Sequence, residues 1–146
     1  MKMKHYTIKF KIVEIESNNF HIFAKANIGK KIVNLVIDTG ASHTCFDINF
    51  IRNLKQEATF ADTEGMNVGV ASVGFETKTT ALSEFKIGKF VIPEYQIILL
   101  DMLHINEAYK QIGLPAVHGI LGGDFFTKYH VTIDYMKSEM TLWTNN

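Results

Sequence analysis

The chain has 146 residues, of which 47% are hydrophobic and 21% charged, and its formal net charge is zero. This length and apolar content predict a single domain, residues 1–146, with enough material for a hydrophobic core. The balanced charge, without a basic stripe or an acidic tail, argues against nucleic acid as a partner. A single cysteine excludes an internal disulfide and suits a reducing compartment.

The N-terminal segment and the apolar runs bear on where the chain works. Residues 1–11 alternate apolar and basic side chains and lack the continuous apolar region of a signal peptide. No apolar run approaches the length of a membrane span. We therefore expect no membrane association and a cytoplasmic protein, with a periplasmic or secreted location open if a leader has been removed.

The first part of the sequence predicts three antiparallel strands. Residues 6–15 and 20–28 alternate apolar and polar side chains, with turn-forming residues between and after them. Residues 32–37 form an apolar, β-branched run that predicts a mostly buried strand. The third strand leads directly into Asp38.

The motif at the end of this strand is Asp38-Thr39-Gly40, followed by Ala41 and Ser42. Gly40 permits a tight turn where a Cβ would clash. A carboxylate beside the hydrophobic body of a protein is costly unless it is hydrogen-bonded or paired, and this turn supplies hydroxyls and backbone N–H groups. An acid held in this way is a candidate catalytic group, although Asp-Thr-Gly is also common in ordinary polar turns.

The rest of the chain predicts short helices and two further hairpins. Helical spacing and stop signals occur at residues 47–54, 101–111 and 124–129, and the first and last of these begin at the expected caps Asp47 and Asp124. Residues 75–87 and 90–100 predict a long hairpin, with Pro93 at an edge or at the start of its strand.

Residues 131–135 and 139–143 predict the closing hairpin. Its outer strand, or the N-terminal strand, is the expected pairing edge for a second subunit.

A second motif, Ile120-Leu121-Gly122-Gly123, precedes the last predicted helix. Together with Asp38 to Ser42, it resembles the retropepsin-like aspartic proteases, the single-lobed relatives of retroviral and pepsin-type enzymes. That family carries Asp-Thr-Gly-Ala/Ser after a buried strand, and later two hydrophobic residues, a glycine and a short helix. The resemblance covers residues 20–144 in order and spacing. It implies an all-β, closed-barrel acid-protease lobe with one or two short helices, assembled as a homodimer.

The resemblance also implies an activity, namely that of an aspartic endopeptidase that needs no cofactor or metal. Pepsin-type chains carry Asp-Thr-Gly twice, whereas this chain carries it once, so Asp38 would face its own copy across a two-fold axis. The two carboxylates would share one proton and activate a water against a peptide bond. Ala41 matches the retroviral-like pattern, for which we expect highest activity at mildly acidic pH.

Other site residues follow from the same resemblance. Thr39 would hydrogen-bond across the axis, Gly40 would admit the substrate backbone, and Ala41 and Ser42 would line the site. The loop would be supported from beneath by Ile120, Leu121 and Gly122, with the glycines of residues 119–123 packed where side chains do not fit. A flap over the peptide is expected at residues 63–74, with substrate contacts at Val68, Gly69, Val70 and Ala71; the alternative is an ordinary hairpin tip.

Two other assignments of function remain open. A peptide-binding or scaffolding module of the same fold could hold a peptide without cleaving it, although the intact Asp-Thr-Gly-Ala-Ser disfavours this. The second alternative is a chain that dimerises only with a different partner.

Several chemistry-bearing side chains are predicted to be structural. His43 and Cys45 resemble a base and nucleophile, but they lie close together on an extended segment, and a buried, inert Cys45 is expected instead. The histidines lack ligand-like spacing, so no zinc site is predicted. Caps, turns or solvated faces are expected for the remaining acids, among them Asp47, Asp62, Asp101 and Asp134.

Overall fold

The computed structural model describes residues 2–54, 61–62 and 78–145. In this part of the chain the structure is mostly β, with short helices α1 (Ile48–Leu54), α2 (Leu103–Gln111) and α3 (Gly123–Lys128). The strands are β1 (Lys4–Lys9), β2 (Lys11–Glu16), β3 (Asn19–Ile28), β4 (Lys31–Ile37), β5 (Cys45–Asp47), β6 (Ala61–Asp62), β7 (Lys78–Leu82), β8 (Phe85–Ile87), β9 (Phe90–Ile92), β10 (Tyr95–Leu100), β11 (Gly119–Leu121), β12 (Thr132–Asp134) and β13 (Glu139–Thr144).

Two sheets organise these strands. The larger one is curled and runs β6-β7-β10-β5-β11-β4-β3-β8-β9, with β2 paired to β3. The smaller one has the order β1-β13-β12. No helix among the residues described is long and apolar enough to cross a membrane.

The three antiparallel strands predicted before Asp38 are present as β2, β3 and β4. The prediction of one continuous first strand, however, was wrong. The chain changes sheets at Phe10, whose side chain is buried and whose N–H donates to the Ser138 carbonyl at 2.9 Å. Residues 4–9 therefore pair with β13, and only residues 11–16 pair with β3.

Strands β3 and β4 have one buried and one outward face. Alternate side chains such as Ala24 and Leu35 are buried, while the positions between them, including Phe23 and Val36, are partly exposed. Because side chains alternate along a strand, Asp38 continues the outward row that contains Val36. The burial of one face thus fixes the side of the sheet on which the acid emerges.

The buried face belongs to a core built from both sheets. Phe46, Phe85 and Phe125 are fully buried at its centre, and the rings of Phe46 and Phe85 meet edge to face at 5.7 Å. Truncating a side chain of this size to alanine costs about 3–5 kcal/mol, so these aromatic residues account for much of the stability of the lobe.

The hairpin predicted around Gly88-Lys89 is present but interrupted. Leu82 pairs with Tyr95 and Phe85 with Ile92 in one continuous register. The ladder breaks between these pairs, where Glu84 adopts a φ of +57° and its carbonyl accepts the Gly29 N–H at 3.0 Å. Pro93, which has no N–H to donate, lies in the same break, so the single strand predicted over residues 90–100 is divided into β9 and β10.

The continuous apolar run of residues 97–100, at the end of this hairpin, predicts a strand segment buried on both faces. Ile97, Ile98 and Leu99 are buried as predicted, whereas Leu100 is exposed at the end of β10.

Side-chain carboxylates organise the starts of the first two helices. Asp47 accepts the Asn49 N–H at 3.2 Å and so caps α1 as predicted. Asp101 accepts the Leu103 N–H at 3.0 Å, and α2 begins there, two residues later than predicted. Asp134 likewise accepts the Lys137 N–H in the closing turn, so these three acids have the structural roles expected of them.

Asp124 does not cap α3, and that prediction was wrong. The helix begins at Gly123 with Gly122 as its N-cap, and no side chain caps it. Asp124 lies within the first turn, and its carboxylate points to other elements, as described below.

The closing hairpin is present as β12 and β13. The outer strand of this hairpin is β12, because β13 lies between β12 and β1. Strands β12 and β1 are therefore the two edges of this sheet, so both predicted positions are sheet edges; pairing with a second subunit there stays a prediction.

Candidate active site

Asp38 lies at the end of β4 on a tightly hydrogen-bonded loop. Its N–H donates to the Leu121 carbonyl at 3.1 Å, and its carbonyl accepts the Ala41 N–H at 3.1 Å. The Gly40 N–H donates to Asp38 Oδ1 at 2.9 Å, which orients the carboxylate. The side chain is exposed in the single chain, so its surroundings there are not the desolvated ones expected from the sequence.

Strand β11 fixes this loop from beneath. Leu121 pairs in parallel with Ile37 of β4, and Ile120 pairs with Cys45 of β5. The strand therefore joins the two segments that flank the loop, the position expected for Ile120 and Leu121.

Gly122 contacts the loop where no side chain fits. A Cβ there would lie 2.8 Å from the Ala41 carbonyl oxygen and 2.8 Å from the His43 carbonyl carbon, closer than real Cβ contacts. Gly123 has more room, because a Cβ on it would lie 3.5 Å from the Ala41 oxygen, and its N–H donates to that oxygen at 2.7 Å. Gly119 packs against Cys45 of β5 rather than beneath the loop, contrary to the prediction.

A part-buried carboxylate network lies behind the loop and was not predicted from the sequence. Asp124 Oδ1 accepts the Thr44 N–H at 2.8 Å and the Thr44 hydroxyl at 2.9 Å, and Oδ2 accepts the Tyr95 hydroxyl at 2.8 Å. The Thr44 hydroxyl in turn accepts the Gly122 N–H at 3.1 Å. Asp124 thus ties the end of the Asp38 loop to α3 and β10.

The network also affects the Tyr95 phenol. Burial raises the pKa of Tyr95 above its usual value, and the hydrogen bond to Asp124 raises it further. Tyr95 therefore keeps its proton and remains a hydrogen-bond donor at neutral pH. No signal in the sequence pointed to this contact.

Cys45 has the inert character predicted for it. The thiol is buried, and burial raises the pKa of Cys45 to about 12, with further contributions from the charges of Asp124 and Asp38. A thiol with this pKa is protonated at neutral pH and is a poor nucleophile.

Helix α2 forms a wall beside Asp38. Tyr109 is its buried side chain; the hydroxyl lies 3.0 Å from His21 Nδ1, and the ring meets Phe23 edge to face at 5.6 Å. His21 is two residues before Phe23 on β3, and Asp38 is two residues after its partner Val36 on β4. The antiparallel register therefore places His21 opposite Asp38.

The negative charge of Asp38 affects the pKa of Tyr109 in this helix. Burial raises the pKa of Tyr109, and the nearby negative charge of Asp38 raises it further. Neither His21 nor Tyr109 was predicted from the sequence as part of the site, and the two residues are 88 positions apart in the chain.

The other predicted site residues are placed as follows. Thr39 and Ser42 are exposed on the loop, and Ala41 is half-buried. The expected flap contacts Val68, Gly69, Val70 and Ala71 lie outside the described residues, as does the side chain of Asp62. Within the described ranges, no three His, Cys, Asp or Glu side chains are grouped so that they could hold a metal ion.

The curled sheet, the Asp-Thr-Gly loop and the glycine strand beneath it define a single-lobed, retropepsin-like aspartic protease fold. The Aspartyl protease family model matches residues 24–125, and the chain belongs to this family.

One curated relative is the retrovirus-related Pol polyprotein from transposon 412 of Drosophila melanogaster. The two sequences are 30% identical over 136 residues, which is 92% of this chain and 9% of the polyprotein. The chain thus matches a small part of that relative.

Two solved structures have a similar fold. A retropepsin-like aspartic protease from Rickettsia conorii superposes with a TM-score of 0.55 at 14% identity, over 97% of this chain and 92% of that one. The retroviral protease-like domain of Ddi1 from Leishmania major gives a TM-score of 0.53 at 15% identity, over 82% and 86%. The retropepsin-like fold predicted from the sequence is confirmed.

Proposed function

We propose that the chain is an aspartic endopeptidase whose active site forms when Asp38 meets its copy from a second, identical chain. The observation that carries the proposal is the state of the Asp38 carboxylate. It is exposed at the end of a buried strand, oriented by the Gly40 N–H, and held on a loop fixed by Leu121 and Gly122. A rigid, outward-facing acid is suited to meet a symmetry-related acid.

The chemistry requires both copies. Two carboxylates brought close together do not both ionise readily, so the pair holds one proton between them. The ionised member takes a proton from a bound water, which attacks the scissile carbonyl carbon, and the protonated member donates its proton to the carbonyl oxygen. The member that took the water proton then donates it to the leaving nitrogen, and the other member takes back a proton from a hydroxyl of the tetrahedral intermediate. The C–N bond breaks, the amine and acid products leave, and the pair again holds one proton.

The loop residues have supporting roles in this scheme. The Thr39 hydroxyl has no hydrogen-bond partner within the described residues, so it is available to bond across the two-fold axis. Gly40 leaves room for the substrate backbone, and Ala41 and Ser42 line the site. Peptide or protein chains are the substrates, and neither a metal nor a cofactor takes part.

The test is a peptide-library digest between about pH 4 and pH 7, comparing the wild type with Asp38→Asn and adding pepstatin. We expect cleavage by the wild type, highest at mildly acidic pH, and none by the variant or in the presence of the inhibitor. Cleavage that survives Asp38→Asn would contradict the proposal. A protein that binds a peptide but never cleaves it would instead be the non-catalytic module.

A further inference from the structure

A groove of about 590 Å³ opens on the outward face of β3 and β4. Its floor is apolar and includes Val13 and Phe23, and the segment after α2 supplies one wall through Leu114 and Pro115. Val117, which is buried, closes the inner end. The groove thus combines an apolar floor with an open side, as a site for a side chain of a bound peptide does.

The charged side chains among the described residues that line this groove are all positive. They are Lys9, Lys11 and Lys25, which are exposed, and one acid outside the lining, Glu139, is the cross-strand partner of Lys9. None of the three lysines forms an ion pair with another residue of the described ranges. In a chain with no net charge, this is a local excess of positive charge beside apolar surface.

The groove is on the same face of the sheet as Asp38. Asn34, which lines it, is four residues before Asp38 on β4, or about 13 Å along an extended strand. Tyr109 lies between the two, in contact with both His21 and Phe23. A chain that passes Asp38 and crosses this aromatic wall reaches the groove.

We propose that this groove binds an extended acidic peptide segment, with one apolar side chain on the floor and flanking Asp or Glu carboxylates beside the lysines. The apolar floor and the ammonium groups, which have no ion-pair partner within the described residues, are complementary to that chemistry. We call the site the lysine groove. Its role, which rests on the proposed function, is to hold an acidic flank of a protein substrate away from the scissile bond.

A peptide fits these features better than a nucleic acid or a lipid surface. The positive charge is confined to three side chains rather than forming a stripe along a phosphate backbone. Two aromatic residues are among the described ones that line the groove. Phe10 is buried, and the Phe23 ring meets Tyr109 edge to face and His21 at a tilt, so neither offers an open stacking platform for bases. The apolar surface is concave, whereas a membrane surface is met by an exposed face.

The test uses full-length Asp38→Asn protein, so that no probe is cleaved, and fluorescence anisotropy of a labelled peptide with the sequence Glu-Asp-Leu-Phe-Asp-Glu. A peptide with the acids replaced by Gln and Asn is the matched probe control. The binding variant adds Lys11→Gln and Lys25→Gln. The matched protein control adds Lys86→Gln and Lys89→Gln, two exposed lysines on the β8–β9 hairpin that do not line the groove.

We expect the acidic probe to bind, and the neutral probe to bind at least about tenfold more weakly at low salt. Loss of Lys11 and Lys25 should weaken binding by about tenfold, and the control pair should change it less than about twofold. Leu114→Ser, which alters the apolar wall without changing charge, should also weaken binding of the acidic probe.

Two results would overturn the proposal. One is equal affinity of the Lys11/Lys25 and Lys86/Lys89 variants for the acidic probe, and the other is equal affinity of the protein for the acidic and neutral probes. Binding to phosphatidylserine vesicles that is lost with Lys11 and Lys25, while the peptide fails to bind, would overturn the choice of a peptide. The assay is independent of catalysis. If the probe binds but no peptide is ever cleaved, the lysine groove stands and the protease proposal fails. If peptides are cleaved but the probe does not bind, the protease proposal stands and the lysine groove fails.

Discussion

The Tyr109 hydroxyl is hydrogen-bonded to His21 Nδ1 at 3.0 Å, and this contact joins helix α2 to strand β3 directly opposite Asp38. The helix comes from a segment between β10 and β11, far from β3 in sequence. The helix is held against β3 by this buried aromatic side chain, through its hydrogen bond and its ring contact to Phe23.

Tyr109→Phe removes this hydrogen bond and keeps the ring. We expect the free energy of unfolding to fall by about 1 kcal/mol, because the part-buried imidazole loses its partner while the packing is preserved. Urea denaturation at a fixed protein concentration measures the change. Tyr135→Phe, at an exposed position in the closing turn, is the matched control, and an equal effect of the two substitutions would contradict the anchoring role.

Asp124→Ala removes the acceptor for the Thr44 N–H, the Thr44 hydroxyl and the Tyr95 hydroxyl. We expect a loss of about 3 kcal/mol in the free energy of unfolding, since buried donors left without an acceptor are costly. Thermal denaturation measures it. Asp134→Ala, which removes an exposed turn acceptor, should cost less than about 1 kcal/mol, and similar losses for both would show that the network is not important for stability.

Gly122→Ala and Gly123→Ala form a matched pair on adjacent residues. The first places a Cβ 2.8 Å from the Ala41 oxygen, so the Asp38 loop must shift; we expect lower stability and, if the proposed activity holds, a loss of activity. The second meets only ordinary contacts at 3.5 Å at the start of α3, where alanine favours a helix by up to about 1 kcal/mol. Equal tolerance of both substitutions would contradict the close packing beneath the loop.

The Cys45 thiol gives a prediction about pH. Because burial raises the pKa of Cys45 to about 12, the unfolded chain loses the thiol proton at a lower pH than the folded one. Stability is therefore unaffected at neutral pH and falls as the pH rises from about 9 towards 12. The loss should be smaller in Cys45→Ala, measured as the slope of the unfolding free energy against pH, and an identical slope would contradict the assigned pKa.

The sequence predicted what depends on local pattern. Alternation along β3 indicated its buried face, and the Asp-Thr-Gly and Ile-Leu-Gly-Gly motifs indicated the loop and its support. The apolar run of β4 predicted a mostly buried strand, whereas only alternate side chains of that strand are buried. Errors arose where a distant residue decides the outcome. Phe10 breaks the first strand because its N–H is taken by Ser138, and Asp124 serves Thr44 and Tyr95 instead of capping its own helix. No local signal identified the pairing of His21 with Tyr109, because neither residue is unusual in its own segment.

The most direct test of the shared active site is a mixing experiment. Wild-type protein is equilibrated with increasing amounts of Asp38→Asn at constant total concentration, and cleavage of a peptide substrate is measured. If the two copies of Asp38 act together, activity should follow the square of the wild-type fraction, because mixed dimers lack one acid. Activity that falls only in proportion to the wild-type fraction, in a sample shown to exchange subunits, would contradict the account.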